Sequence, residues 1–166
     1  MTLEQRIQRL EDDRAIRDLK ARYLRACDLK QPDVVNDTLK PNGVIIDFEG
    51  FPPFDNRDDF VKIYTEMGCS PDIFDMHHSA NGIITFESDD RATGQWSLTF
   101  HNINLAQQTL TQFGVEYNDV YVKESGRWWI AETRSRRNSA LVHKVDAEGK
   151  ATVTAMGNLT SAFGEA

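Results

Sequence analysis

The sequence predicts an α+β fold in which a curved, mixed or antiparallel sheet wraps around early helices. Three observations predict it. Helical periodicity is confined to the part of the chain before Asp75, the stretches after it alternate as strands do, and turn residues part those stretches at hairpin spacing. Long, strongly twisted strands joined by hairpins curl into a cone. Helices then close one side and leave an internal pocket.

Each element has its own justification. Leu3, Ile7, Leu10, Ile16, Leu19, Tyr23 and Ala26 follow three- and four-residue steps with one six-residue gap, and charged residues fill the other side. The stripe is narrow in the opening turns, which are therefore expected to project from the body. Pro32 suits the first turn of a second, short helix carrying Val34, Val35 and Leu39. Pro41-Asn42-Gly43 is a turn. Residues 43–49 read as a strand from their β-branched residues and Phe48. Pro52 and Pro53 stiffen the loop after it, because neither donates to a ladder. Asn56 caps a third helix, with Asp58 and Asp59 in its first turn and Phe60, Ile63, Tyr64 and Met67 as its apolar face. Strands are expected at 76–86, 92–102, 109–123 and 127–138, with turns at 87–90 and 124–126. Residues 146–149 carry the chemistry of a small hairpin turn, and the last residues read as frayed.

Composition narrows the function classes. A length of 166 residues suits one domain, residues 1–166. The net charge of −7 repels phosphates, so nucleic acid and anionic membranes are not expected partners. No apolar run approaches the roughly 20 residues that cross a bilayer. The first residues lack the apolar stretch of a signal peptide. Cys27 and Cys69 build neither a disulfide framework nor a zinc pattern. A reducing, cytoplasmic location is the expectation.

Several side chains could carry chemistry. Neighbours on a strand point to opposite faces, so one of His77 and His78 faces the pocket and the other faces away. The same geometry argues against joint chelation, and no carboxylate stands at metal-motif spacing, so no metal is expected. A strand histidine also serves structural hydrogen bonds. His101 ends the next strand. Tyr23 belongs to the apolar stripe of the first helix. Asp28 sits at that helix's end, where the dipole disfavours a carboxylate. It is either a solvated terminus, a cap for the segment from Pro32, or an acid at the pocket mouth bonded to a histidine or tyrosine. Alternation places Glu132, Arg134 and Arg136 on one face and Thr133, Ser135 and Arg137 on the other. An arginine inside a cavity binds an anionic or carbonyl oxygen; an exposed basic stripe is the alternative. Phe48, Trp96, Phe100, Tyr117, Tyr121, Trp128 and Trp129 supply aromatic surface for a core or for a pocket that takes a ring-shaped ligand. There is no Gly-x-Ser-x-Gly elbow, phosphate-binding glycine loop or dinucleotide fingerprint, and Asp28 opposes thiolate formation at Cys27.

Four stretches carry a resemblance: residues 15–28 (AIRDLKARYLRACD), 76–81 (MHHSAN), 92–98 (ATGQWSL) and 126–133 (GRWWIAET). In this order they resemble the SnoaL-like, nuclear-transport-factor-2-like superfamily of cystatin-like cones. Within it they resemble the branch holding scytalone dehydratase and bile-acid 7α-dehydratase. The resemblance spans about residues 10–140 and leaves 141–166 as a C-terminal extension. It implies a cofactor-independent acid–base enzyme, a dehydratase-type lyase for a ring-containing steroid, polyketide or aromatic molecule. It implies His77 as the acid–base group, Asp28 as its hydrogen-bond partner and Tyr23 as a polarising group. His78, Phe48, Trp96, Phe100, His101, Asn102, Tyr117 and Arg137 are the expected substrate contacts. Cys27 stands where scytalone dehydratase has a second tyrosine. Asn102 falls in the slot of its second histidine, so His101 would face inward only through a bulge. No carboxylate stands near Phe100, where the bile-acid enzyme has one. An isomerase, a cyclase or a non-catalytic small-ligand-binding module are the alternatives. No cofactor is expected. The expected partners are a small apolar or aromatic ligand and further copies of the chain, as a homodimer or homotrimer that covers the open sheet face.

Overall fold

The computed structural model describes residues 1–157. Helices α1 (Leu3–Asp28) and α2 (Pro32–Thr38) precede the short strand β1 (Ile45–Phe48) and helix α3 (Arg57–Gly68). Strands β2 (Ile73–Phe86), β3 (Arg91–Asn104), β4 (Thr109–Glu124), β5 (Arg127–Val145) and β6 (Ala151–Gly157) follow. The sheet runs β1-β5-β4-β3-β2, and β6 pairs with the far half of β5. β1 joins β5 in parallel while the β2–β3, β3–β4, β4–β5 and β5–β6 pairs are antiparallel, so the sheet is mixed. It is curved and unclosed, as the sequence predicts.

The helix ends are where residue chemistry puts them. Thr2 and Gln5 exchange side-chain and backbone bonds in a capping box at the start of α1, and the Asn56 side chain accepts from the Asp59 N–H at the start of α3. Leu3 and Leu10 are 70% and 72% exposed, so the opening turns of α1 project as expected. The strands run longer than their patterns suggest. β2 starts at Ile73, three residues early, because its pairing with β3 continues to Ile73 opposite Asn104. β5 passes through Ala140 without a break and turns back at Asp146–Lys150, so the expected small hairpin forms. The expected fraying of the last residues lies in 158–166, outside the described residues.

Register lays the inner face out in rows. Asp75, Asn102, Thr111 and Val142 form one row; His77, Phe100, Phe113 and Ala140 form the next. Leu98, Val115 and Arg137 follow, then Trp96, Tyr117, Ser135 and Phe48, then Gly94, Asp119, Thr133 and Ile46. Bulges at 80/83, 114/115 and 120/121 bend the sheet and keep these side chains converging. At the first bulge Asn81 takes a left-handed conformation and Gly82 packs under Trp96, where a Cβ would collide with the indole ring.

The inner stripe of α1 (Ile16, Leu19, Lys20, Tyr23, Cys27) is buried along this concave face. Lys20 is the surprise of the stripe. Its Nζ lies 2.8 Å from Asp119 Oδ2, both side chains are wholly buried, and it sits 3.8 Å from the centroid of the Tyr117 ring. Tyr121 donates to the same Asp119 oxygen at 2.7 Å, and Trp96 Nε1 donates to Tyr121 at 3.1 Å. Burial lowers the Lys20 pKa, with Asp119 working against that shift.

Candidate active site

The last residue of α1 meets the edge strand of the sheet. Among the described residues β2 has β3 on one side only, so its outward N–H groups need other partners. The Asp28 carboxylate accepts the His77 N–H at 3.0 and 3.3 Å and also lies 2.6 Å from His77 Nδ1. Three contacts to one carboxylate explain why an acid occupies an otherwise unfavourable helix C-terminus. Asp28 does not cap α2, whose N-cap is Gln31 with no side-chain bond. The His77 and Asp28 side chains keep 16% and 24% of their surface exposed. The pair is therefore partly accessible.

The ring of His77 is fixed from below. Phe100, directly opposite on β3, lies 4.8 Å away centroid to centroid, and Phe113 stacks on Phe100 at 5.9 Å. Arg137 reaches the same series, its guanidinium 5.3 Å from the Phe113 centroid. Glu49 accepts from the Arg137 backbone N–H at 2.7 Å and lies 3.5 Å from its guanidinium. Arg137 is thus a buried, inward arginine on the face that alternation assigned to it.

Asn102 donates to Asp75 Oδ1 at 2.6 Å. Asp75 was not singled out by sequence reasoning, although its position two residues before His77 placed it on the same strand face. Burial raises its pKa, chiefly, with the Asn102 bond and His77 pulling the other way and the Asp28 charge adding to the rise. Lys20 and Asp119 were missed too. A single lysine on an apolar stripe reads as a solvated charge, and its partner stands 99 residues away.

The deeper aromatic residues belong to the packed core. Tyr23 is buried, and its pKa is driven up by burial and by Cys27, with which it shares a side-chain hydrogen bond. Burial and the neighbouring Asp28 push the Cys27 thiol to about 12, so it is not a nucleophile at neutral pH. Phe48 packs edge-on against Tyr117 and Phe60, both at 5.7 Å. Trp96 and Tyr117 are buried in the Lys20 region rather than beside His77.

Two expected contacts face the wrong way. His78 is exposed, because strand alternation turns it from the face that His77 occupies. His101 pairs across the sheet with the exposed Met76 and with Gln112, and no bulge interrupts β3 pairing there, so it lies on the outer face. Neither contributes to the inner site. Two open clefts, of about 480 and 440 Å³, lie between α1 and the β4–β5 turn and beside the β5–β6 turn; neither is lined by His77 or Asp28.

A family model for the SnoaL-like domain matches residues 8–134, and the chain belongs to that family. Among solved structures, a provisionally named scytalone dehydratase from Novosphingobium aromaticivorans DSM 12444 superposes with a TM-score of 0.73 at 19% identity, over 80% of this chain and 88% of that one. LinA superposes with a TM-score of 0.74 at 18% identity, over 81% of this chain and 90% of its own. Hexachlorocyclohexane dehydrochlorinase LinA-type3 from Novosphingobium barchaimii LL02 gives 0.73 at 17%, over 90% and 94%. At these identities the likeness establishes the shared cone fold. No helix among the described residues is long and apolar enough to cross a membrane.

Proposed function

We propose that this protein is a cofactor-independent acid–base enzyme, a dehydratase-type lyase acting on a ring-containing small molecule. The observation that carries the reading is the 2.6 Å contact between His77 Nδ1 and Asp28 Oδ1 at a partly open edge of the cone. Asp28 as an anion accepts the Nδ1–H, which selects the tautomer with a bare Nε2. Nε2 then takes a proton from the carbon beside a carbonyl, and Asp28 stabilises the imidazolium. A positioned base of this kind contributes about 10²- to 10⁴-fold. The developing enolate oxygen needs donors; Tyr23, Asn102 and Arg137 are the inward candidates, and the raised pKa of Tyr23 keeps its proton available. In a dehydration the hydroxyl departs as water, and in an isomerisation the proton returns to carbon. The names dehydratase and dehydrochlorinase among the structural neighbours support an elimination. The Phe100–Phe113 stack supports a flat apolar ring as ligand. Exposed Phe74, Met76 and Ile83 on the outer side of β2 support assembly with further copies.

The test is proton NMR in D₂O with a panel of cyclic β-hydroxyketones. The wild type exchanges the proton beside the carbonyl and forms the enone. His77→Ala and Asp28→Asn each lose both reactions while keeping a Tm near the wild-type value. Exchange at wild-type rate in either variant would overturn the assignment.

A further inference from the structure

His77 stands between two carboxylates with different surroundings. Asp28 takes three contacts from His77, two with the backbone N–H and one with Nδ1. Both of these His77 donors thus turn to Asp28. Asp75 lies two residues earlier on the same strand and face, about 7 Å along the strand. Its hydrogen-bond partner is a neutral amide, Asn102 Nδ2, which donates to Oδ1 at 2.6 Å. An acid placed on the same face as a base is an arrangement that serves elimination chemistry.

The groups facing Asp75 come from three elements besides β3. Cys27 and Asp28 end α1 and Lys30 follows it, Tyr64 lies on α3 and His77 on β2. Burial keeps the Cys27 thiol protonated, and burial also drives the Tyr64 hydroxyl upward, so neither brings a charge. Lys30 bonds the Ser70 carbonyl and lies over the Phe74 ring, which turns its ammonium to those partners. Asp28 repels a second anion. Burial and that repulsion outweigh Lys30, His77 and Asn102, and the Asp75 pKa is raised.

We propose that Asp75 is a second catalytic residue, the general acid that protonates the departing hydroxyl while His77 removes the proton from carbon. The inference rests on the acid–base reading above. In the step, the C–H electron pair becomes the new C=C bond and the proton passes to His77 Nε2. The C–O bond breaks with its pair on oxygen, the Asp75 proton joins that oxygen, and water leaves. The site is left as imidazolium and carboxylate, and transfer of the proton from His77 to Asp75 restores it. The proton balance closes without a further reactant.

Two measurements test it. In the first, the side-chain carboxyl carbons are ¹³C-labelled and titrated in the wild-type protein. Asp75 is expected to titrate well above the ordinary aspartate value of about 4. Titration of Asp75 in the ordinary range overturns the proposal. This measurement needs no substrate, so it stands even if proton exchange fails and the acid–base reading falls. In the second, Asp75→Asn is given the cyclic β-hydroxyketones in D₂O. The ratio of elimination to proton exchange is expected to drop by about 10²-fold, the low end for loss of a positioned acid. An unchanged ratio, as a purely structural residue would give, overturns the proposal.

Discussion

Two of the acid–base pairs through which helix α1 meets the sheet differ in access. Lys20 and Asp119 are 2.8 Å apart and wholly enclosed. Asp28 and His77 are 2.6 Å apart and partly open. The helix positions lie eight residues apart, about 12 Å along the axis. In the closed pair each charge has lost its water, so removing one partner strands the other. In the open pair both side chains keep contact with solvent. The same residue chemistry thus ties the helix to the sheet in a closed setting at one end and in an open one at the other.

The strongest way to break this contrast is Lys20→Ala. Leaving Asp119 charged in the interior should cost about 3–5 kcal/mol, whereas Asp28→Asn should cost about 1 kcal/mol or less, both read by urea unfolding. Equal losses would remove the distinction. The double replacement Lys20→Met with Asp119→Leu sharpens it, since apolar residues of similar volume should restore stability to within about 1–2 kcal/mol of wild type. Gly82→Ala comes next. Its methyl would meet the Trp96 ring above the same buried network and should cost about 1–3 kcal/mol, a loss that thermal unfolding measures.

The smallest effect concerns a third pair on α1. Asp12 Oδ1 accepts from Lys123 Nζ at 2.7 Å and from Trp128 Nε1 at 2.8 Å. Burial pushes the Asp12 pKa up, but these bonds outweigh it and hold the carboxyl below its usual value. A depressed pKa means stability that is present above about pH 4, the unfolded value, and lost as pH falls through the folded one. The stability advantage of wild type over Asp12→Asn should therefore be constant near neutrality and vanish in acid. An advantage that persists at pH 2 would show that the Asp12 charge is not its source.

Particular residues show what was legible. Alternation correctly grouped Thr133, Ser135 and Arg137 on one face, and all three are buried. For His77 and His78 it could state only that they oppose each other; parity carries no direction until pairing with β3 turns Phe100 and His77 the same way. His101 illustrates the converse. Counting residues left a bulge open as a way in, and the uninterrupted register closes it. Asp75 was legible in principle from its two-residue offset, but an aspartate at a strand start reads as a turn residue until its burial and the Asn102 bond are known.

Periodicity, caps and turn residues set the element types, their order and the mixed-class fold, because each rests on spacing within about a dozen neighbouring positions. Family motifs pointed to Asp28 and His77 as partners. The choice of inward face, the enclosure of Lys20 with Asp119 and the placing of Asp75 against Asn102 came from the folded sheet. These depend on which distant strands pair, where bulges shift them and how much water remains around a charge, quantities that no local run of residues contains.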